Sequence, residues 1–208
     1  MLVLAIDTAT PAVTAGVVAV DAERATVLAE RVTLDARAHG ELLTPHVLDA
    51  ARDAGIGLRD LGAIACGVGP GPYTGLRAGM VSAAALSHSL GIPAYPVCTL
   101  DAIAAGAEEG EPFLVLTDAR RREVYWATYD AEGTRTGGPH VGRRDDITEL
   151  HTDPAPRVLD HEQPTPLGIV GAARAAILAG DQPAPLTPLY LRRPDAAEPG
   201  ARKRVTTP

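Results

Sequence analysis

The sequence is poor in aromatic residues, in cysteine and in long apolar stretches, and it has no excess of positive charge. Phe, Tyr and Trp together make up 3% of 208 residues, so a core has to be filled by Ala, Val, Leu and Ile. The two cysteines, Cys66 and Cys98, lie far apart in apolar strand-like runs, which points to reduced, buried thiols rather than a disulfide framework. No uninterrupted run of about 18 apolar residues is present to span a membrane. The start, MLVLAIDTAT, lacks a basic segment and meets polar Asp7 early, so it does not read as a secretion signal. These features predict a cytoplasmic chain. A net charge of −7 argues against free-standing nucleic-acid binding, which needs a basic face to displace counterions from phosphates. A role beside RNA held by a partner stays open.

What is present is ordinary globular composition, 46% hydrophobic and 22% charged, long enough for one large domain or two small lobes. Apolar runs at 2–6, 12–20 and 26–34, joined by short links, predict an antiparallel meander. A helix is expected over 41–53, closed by Gly55. A buried strand at 63–68 then enters the Pro/Gly loop 69–73, and Thr74 is the expected N-cap of a helix reaching Ser89, with Gly91 at its end. Another strand is expected at 94–97. The opening then repeats: residues 113–118 match 2–7 at an offset of 111, and Val124 falls on Val13. Each unit is an apolar strand ending in Asp, a tight turn and a second strand, which predicts a duplication.

Two lobes that each open with an Asp-terminated hairpin match the layout of the actin, hexokinase and Hsp70 fold, a duplicated, ribonuclease H-like α/β architecture. The lobes are expected at 1–106 and 107–193. The second is expected to be shortened, since the region from Arg143 to Gln182 is brief and carries Pro154, Pro156, Pro164 and Pro166. Residues 194–208, with Arg202-Lys203-Arg204, read as a solvated, disordered tail.

The chemistry of such folds is not obvious in the residues. Active members carry glycines in each hairpin turn so that backbone N–H groups approach phosphates. Here the turns are Asp7-Thr8-Ala9-Thr10-Pro11 and Asp118-Ala119-Arg120-Arg121-Arg122-Glu123, both without glycine. Asp7 and Asp118 read as strand-end residues that satisfy turn N–H groups. The loop Gly69-Pro70-Gly71-Pro72-Tyr73-Thr74-Gly75 resembles a phosphate loop only loosely. Two prolines remove donors and no Lys-Ser or Lys-Thr pair follows, so a rigid turn is the better reading. His39 and His46 are seven residues apart, about 10 Å along a helix, too wide for one zinc. No Gly-x-Ser-x-Gly or Cys/His nucleophile context occurs. No cofactor, metal or catalytic residue is expected.

The helices are more informative. Leu43, Val47, Ala50 and Ala54 fall at core spacing, with Leu42, His46 and Asp49 on a neighbouring stripe. The helix that follows Tyr73 is apolar nearly all round, through Leu76, Met80, Val81, Ala83 and Leu86. It must be covered on several sides, and any face left open would mark a subunit interface.

At this point a specific resemblance emerges. Residues 69–79, GPGPYTGLRAG, are similar to the GPGSFTGLRIG signature of the bacterial TsaB (YeaZ) family, with Tyr73 for the usual Phe and Pro72 for the usual Ser. Supporting matches, in family order, are LAIDTAT, residues 39–45, residues 118–125 and Pro188-Leu189-Tyr190-Leu191-Arg192. The resemblance implies a non-catalytic cytosolic subunit needed for threonylcarbamoyladenosine formation at position 37 of tRNA. It implies pairing with the paralogue TsaD, which carries the metal and the transfer chemistry, joined by the ATPase TsaE. The paralogue holds its metal with a His-x-x-x-His pair, of which only His39 has a counterpart. Contact with TsaD, or with a second copy of the chain, is implied through the two N-terminal helices. The implied interface residues are His39, Glu41, Leu42, Leu43, His46, Val47, Tyr73, Thr74, Leu76, Arg77, Met80 and Ala83. tRNA would be met only through the complex, and no membrane is implied. The competing readings are a kinase-like ATPase of the actin fold, a peptidase and a free-standing tRNA binder. They would need glycines in both turns, a metal pair or nucleophile, and a basic face, respectively.

Overall fold

The computed structural model describes residues 1–108 and 110–192. The chain opens with the meander β1 (Leu2–Asp7), β2 (Ala12–Val20) and β3 (Ala25–Leu34), followed by α1 (His39–Asp53), β4 (Ala63–Gly67), α2 (Tyr73–Leu90) and β5 (Ala94–Val97). β4 lies parallel to β1, and β5 parallel to β4, so the first sheet has the order β3-β2-β1-β4-β5. β1, β2 and β4 are buried on both faces, which is why they read as continuous apolar runs. β3 lies at the edge and alternates between half-buried and exposed residues.

A short helix that the sequence reading did not include, α3 (Thr99–Ala104), leads to β6 (Phe113–Asp118), β7 (Glu123–Tyr129), β8 (Arg135–Arg143) and β9 (Arg157–Asp160), with α4 (Pro166–Ala179) last. The second sheet runs β8-β7-β6-β9, and β9 is parallel to β6 as β4 is to β1. The duplication is therefore visible in the pairing. Its register needs one correction. Asp7 faces Thr14, whereas Asp118 faces Val124, so Val124 corresponds to Thr14 rather than to Val13. The second turn is one residue tighter because Arg120, Arg121 and Arg122 all adopt positive φ, at 63°, 55° and 65°. Among the described residues only short 3₁₀ turns separate β8 from β9, where the first unit has α1.

α1 and α2 cover one face of the first sheet, packing Leu43, Val47, Leu76 and Met80 on Leu4, Ile6 and Val13. α4 comes from the second half of the chain yet covers the other face, with Ile169, Val170, Ala173 and Ile177 on Val3, Ala5 and Val18. α3 packs Leu100 and Ile103 against Phe113, Val115 and Tyr129 of the second sheet. Each fully buried Leu or Ile in these layers contributes about 1.5–3 kcal/mol. Among the described residues no helix is long and apolar enough to cross a membrane.

Two helix starts differ from expectation. α1 begins at His39, two residues early, after Ala38 and without a side-chain cap. α2 begins at Tyr73 with Pro72 in the N-cap position, so Thr74 lies inside the helix and caps nothing. Gly91, at φ +67°, ends α2 in the left-handed region as expected.

Candidate functional site

The glycine-rich loop holds the protein's own first turn. Gly67, Gly71, Gly75 and Gly79 line up against Asp7, Ala9 and Thr8. A Cβ on Gly75 would stand 2.7 Å from the Thr8 carbonyl oxygen, and one on Gly79 would stand 2.5 Å from the Thr8 hydroxyl, too close for any side chain. The Thr8 hydroxyl donates to the Gly75 carbonyl at 2.6 Å and accepts from the Gly79 N–H at 3.0 Å. It thereby bridges the Gly79 N–H and the Gly75 carbonyl of α2 and stitches the turn into the helix. The signature glycines are explained by this close approach. The reading of the loop as a rigid turn thus gains a mechanism.

Asp7 is fully buried. Its carboxylate accepts from the Ala9 N–H at 2.7 Å and from the Thr99 hydroxyl at 2.8 Å. Burial pushes its pKa up to about 6, partly offset by the Ala9 and Thr99 hydrogen bonds and by the charge of His39. Asp118 takes the matching role in the second turn, accepting from the Arg120 N–H at 3.0 Å. Both aspartates therefore satisfy turn N–H groups, as the sequence indicated. Three consecutive left-handed non-glycine residues are costly, about 1 kcal/mol or more each. Here the Glu123 N–H bond to the Arg120 carbonyl and the Ala119 N–H bond to the Glu123 carbonyl, both 3.0 Å, hold them in place. Between the turns lies a cleft of about 520 Å³, bounded by Thr10, Arg37, Tyr73, Arg120, Tyr190 and Arg192.

The histidines are engaged inside the fold. His39 lies with Nδ1 3.1 Å from the Ala36 carbonyl and Nε2 2.8 Å from the Thr10 carbonyl, so both ring nitrogens are occupied by backbone. His46 Nε2 meets the Thr33 hydroxyl at 2.9 Å, and burial holds its pKa below the usual imidazole value. Cys66 and Cys98 are free thiols, Cys66 buried and Cys98 half-buried. Burial raises both, Cys98 to about 11, so neither is a ready nucleophile.

The residues implied as an interface divide sharply. His39, Leu43, His46, Val47, Leu76, Met80 and Ala83 are buried, Leu43 at 2% and Leu76 at 0% exposure. Their side chains belong to the core because α1 and α2 present their most apolar faces to the sheet, so they cannot form an open surface. Glu41, Tyr73, Thr74 and Arg77 are exposed and Leu42 is half-buried. The implied interface did not include Val81, which is 67% exposed, or Ala84 and Ala85 beside it on the same face of α2. Helix periodicity could have identified them once Leu76, Met80 and Ala83 were assigned to the core.

Residues 181–192, after α4, form an irregular strap over this end of the molecule. Leu186 and Leu189 pack on the first core and Leu191 on the core of the second sheet. The Leu189 N–H donates to the Val68 carbonyl at 2.8 Å. Tyr190 stacks on Tyr73 with ring centres 5.3 Å apart, and Arg77 lies over Tyr73 at 3.7 Å while its Nε donates to the Tyr190 hydroxyl at 2.8 Å. Arg192 ends the strap in the second turn, donating to the Ala119 carbonyl at 2.8 Å and pairing with Glu123 at 2.8 Å. The aromatic stack and the cation–π contact are each worth about 0.5–1 kcal/mol at an exposed site.

Known proteins match this chain along most of its length. The family model described as "TsaD: tRNA N6-adenosine threonylcarbamoyltransferase" matches residues 26–191. An uncharacterized protein of Mycobacterium tuberculosis is 53% identical over 210 residues, covering 93% of each chain. The Escherichia coli protein named tRNA threonylcarbamoyladenosine biosynthesis protein TsaB is 37% identical over 135 residues, covering 64% of this chain and 56% of its own. A crystal structure from Pseudomonas aeruginosa, described as an uncharacterized protein with similarity to peptidase YeaZ, superposes with a TM-score of 0.74 at 26% identity, covering 92% of this chain and 99% of its own. The signature loop, the duplicated hairpins and these matches agree: the chain belongs to the TsaB (YeaZ) family.

Proposed function

We propose that this chain is a non-catalytic, partner-binding subunit of tRNA threonylcarbamoyladenosine biosynthesis in the cytoplasm, docking on a TsaD-type transferase through α1 and α2. The observation that carries this reading is the open face of α2, where Tyr73, Val81, Ala84 and Ala85 are exposed on a helix with no acidic residue. An apolar face left uncovered on a folded chain calls for a partner. On α1, Leu48 is 51% exposed, and with Glu41 and Leu42 it is assigned to the same docking surface in this reading. The non-catalytic part rests on Asp7 and His39, whose polar atoms are spent on the chain's own backbone and on Thr99. In this reading a TsaE-type ATPase joins the pair and tRNA is reached only through the assembly. A second copy of the chain competes for the same face.

Reconstitution tests this. Threonylcarbamoyl transfer to tRNA by the TsaD-type and TsaE-type proteins of the same organism should require this chain. The chain alone should neither turn over ATP nor modify tRNA. Full transfer in its absence, or ATP turnover by the chain alone that is lost on changing Asp7, would overturn the proposal.

A further inference from the structure

α2 carries no Asp or Glu over its 18 residues, on a chain whose net charge is −7. Its exposed stripe runs Tyr73, Arg77, Val81, Ala84 and Ala85, with Arg77 the cation among them. Arg77 is held in a fixed pose, its guanidinium over Tyr73 at 3.7 Å and its Nε bonded to the Tyr190 hydroxyl at 2.8 Å. The two terminal nitrogens make no hydrogen bond or ion pair among the described residues. A guanidinium fixed through Nε with its terminal edge open is ready for forked pairing with an oxyanion.

We propose that Arg77 is the charged anchor of the partner face, taking a carboxylate of the docked protein. Tyr190 is its positioning residue, so the strap at 181–192 completes the face. This rests on the partner-binding reading above. A protein carboxylate fits better than an RNA phosphate because the stripe runs on from Arg77 into apolar Val81, Ala84 and Ala85. Arg37, Arg120 and Arg192 line the cleft that Tyr73 and Tyr190 also border, so phosphate is the alternative that the test separates. Tyr190 lies 113 residues from Arg77 in sequence, and its contribution follows from the strap running from Val68 past the start of α2 to the second turn. An oriented Arg loses less freedom on pairing than a mobile one.

The test is calorimetric titration of the full chain into the TsaD-type protein of the same organism, with the fold of each variant checked by urea unfolding. Arg77→Gln should weaken binding about 10- to 100-fold and flatten its salt dependence, and Arg77→Lys should recover only part of this. Tyr190→Phe keeps the stack and loses the bond to Arg77, and should weaken binding about 3- to 10-fold with unchanged urea midpoint. Tyr190→Ala should weaken it more. If Arg77→Gln binds within twofold of wild type while Val81→Arg abolishes binding, the anchor is overturned and the partner face stands. If Val81→Arg also binds normally, the partner-binding reading itself falls. If Arg77→Gln leaves protein binding intact but lowers tRNA retention by the assembly, the ligand is phosphate and the carboxylate assignment is overturned.

Discussion

Asp7 should destabilise the fold at neutral pH while defining its first turn. Its pKa rises from 3.8 to about 6 in the folded chain, with burial as the leading cause. The folded state therefore holds the proton more tightly than the unfolded chain, and protonation favours folding. The favourable contribution is fully present below about pH 4, is lost as pH rises through about 6, and is constant above that. A displacement of about two pH units, at about 1.4 kcal/mol each, is about 3 kcal/mol. Asp7→Asn removes the buried charge and keeps the geometry. Its oxygen still accepts from the Ala9 N–H, and its amide can donate to the Thr99 hydroxyl in place of the present bond. The variant should be more stable than wild type by about 1–3 kcal/mol at pH 7.5, with the advantage shrinking toward zero near pH 4. Urea unfolding of both proteins across this range measures it. A variant less stable than wild type at pH 7.5, with a difference independent of pH, would refute the reasoning and show that the charge itself is needed by the turn.

Other expectations follow from particular contacts. Gly75→Ala should destabilise by about 1–3 kcal/mol, because its Cβ meets the Thr8 carbonyl at 2.7 Å. Gly40→Ala, with nothing within 4 Å, should be neutral or stabilising by up to about 1 kcal/mol in the same unfolding assay. Met80→Arg places a charge at a site 7% exposed and should unfold the chain or cost about 3 kcal/mol or more by urea denaturation. Arg192→Ala removes both bonds of the strap to the second turn and should raise hydrogen exchange over residues 181–192 at a cost of about 1–2 kcal/mol.

Much of the architecture was legible because the burial pattern is written into the strands. Runs 12–20 and 113–118 coincide with β2 and β6, since strands covered on both faces leave a continuous apolar signal. The signature loop and its family were legible too. The proposed partner face was harder to read. A small-residue helix such as α2 has no polar stripe to mark its solvent side, so Leu76 and Ala83 looked as available as Val81, and only packing on Ile6 and Leu4 separates them. The caps failed for a related reason. Thr74 was a reasonable N-cap by residue type, but the α2 terminus is held by Thr8, 67 residues away from Gly75, and no local pattern reports such a contact. The strap was visible only as a motif at 188–192, without a hint that Tyr190 meets Tyr73 and Arg77.

Binding through the open face of α2 is tested most directly by light scattering on the eluted complex of this chain with the TsaD-type protein, for wild type and Val81→Arg. Val81 is 67% exposed, so a charge there leaves the fold intact, unlike one at Leu43 or Met80. The expected result is a one-to-one complex for wild type and two separate proteins for Val81→Arg at matched stability. A complex of unchanged mass and retention with Val81→Arg would contradict docking on this face.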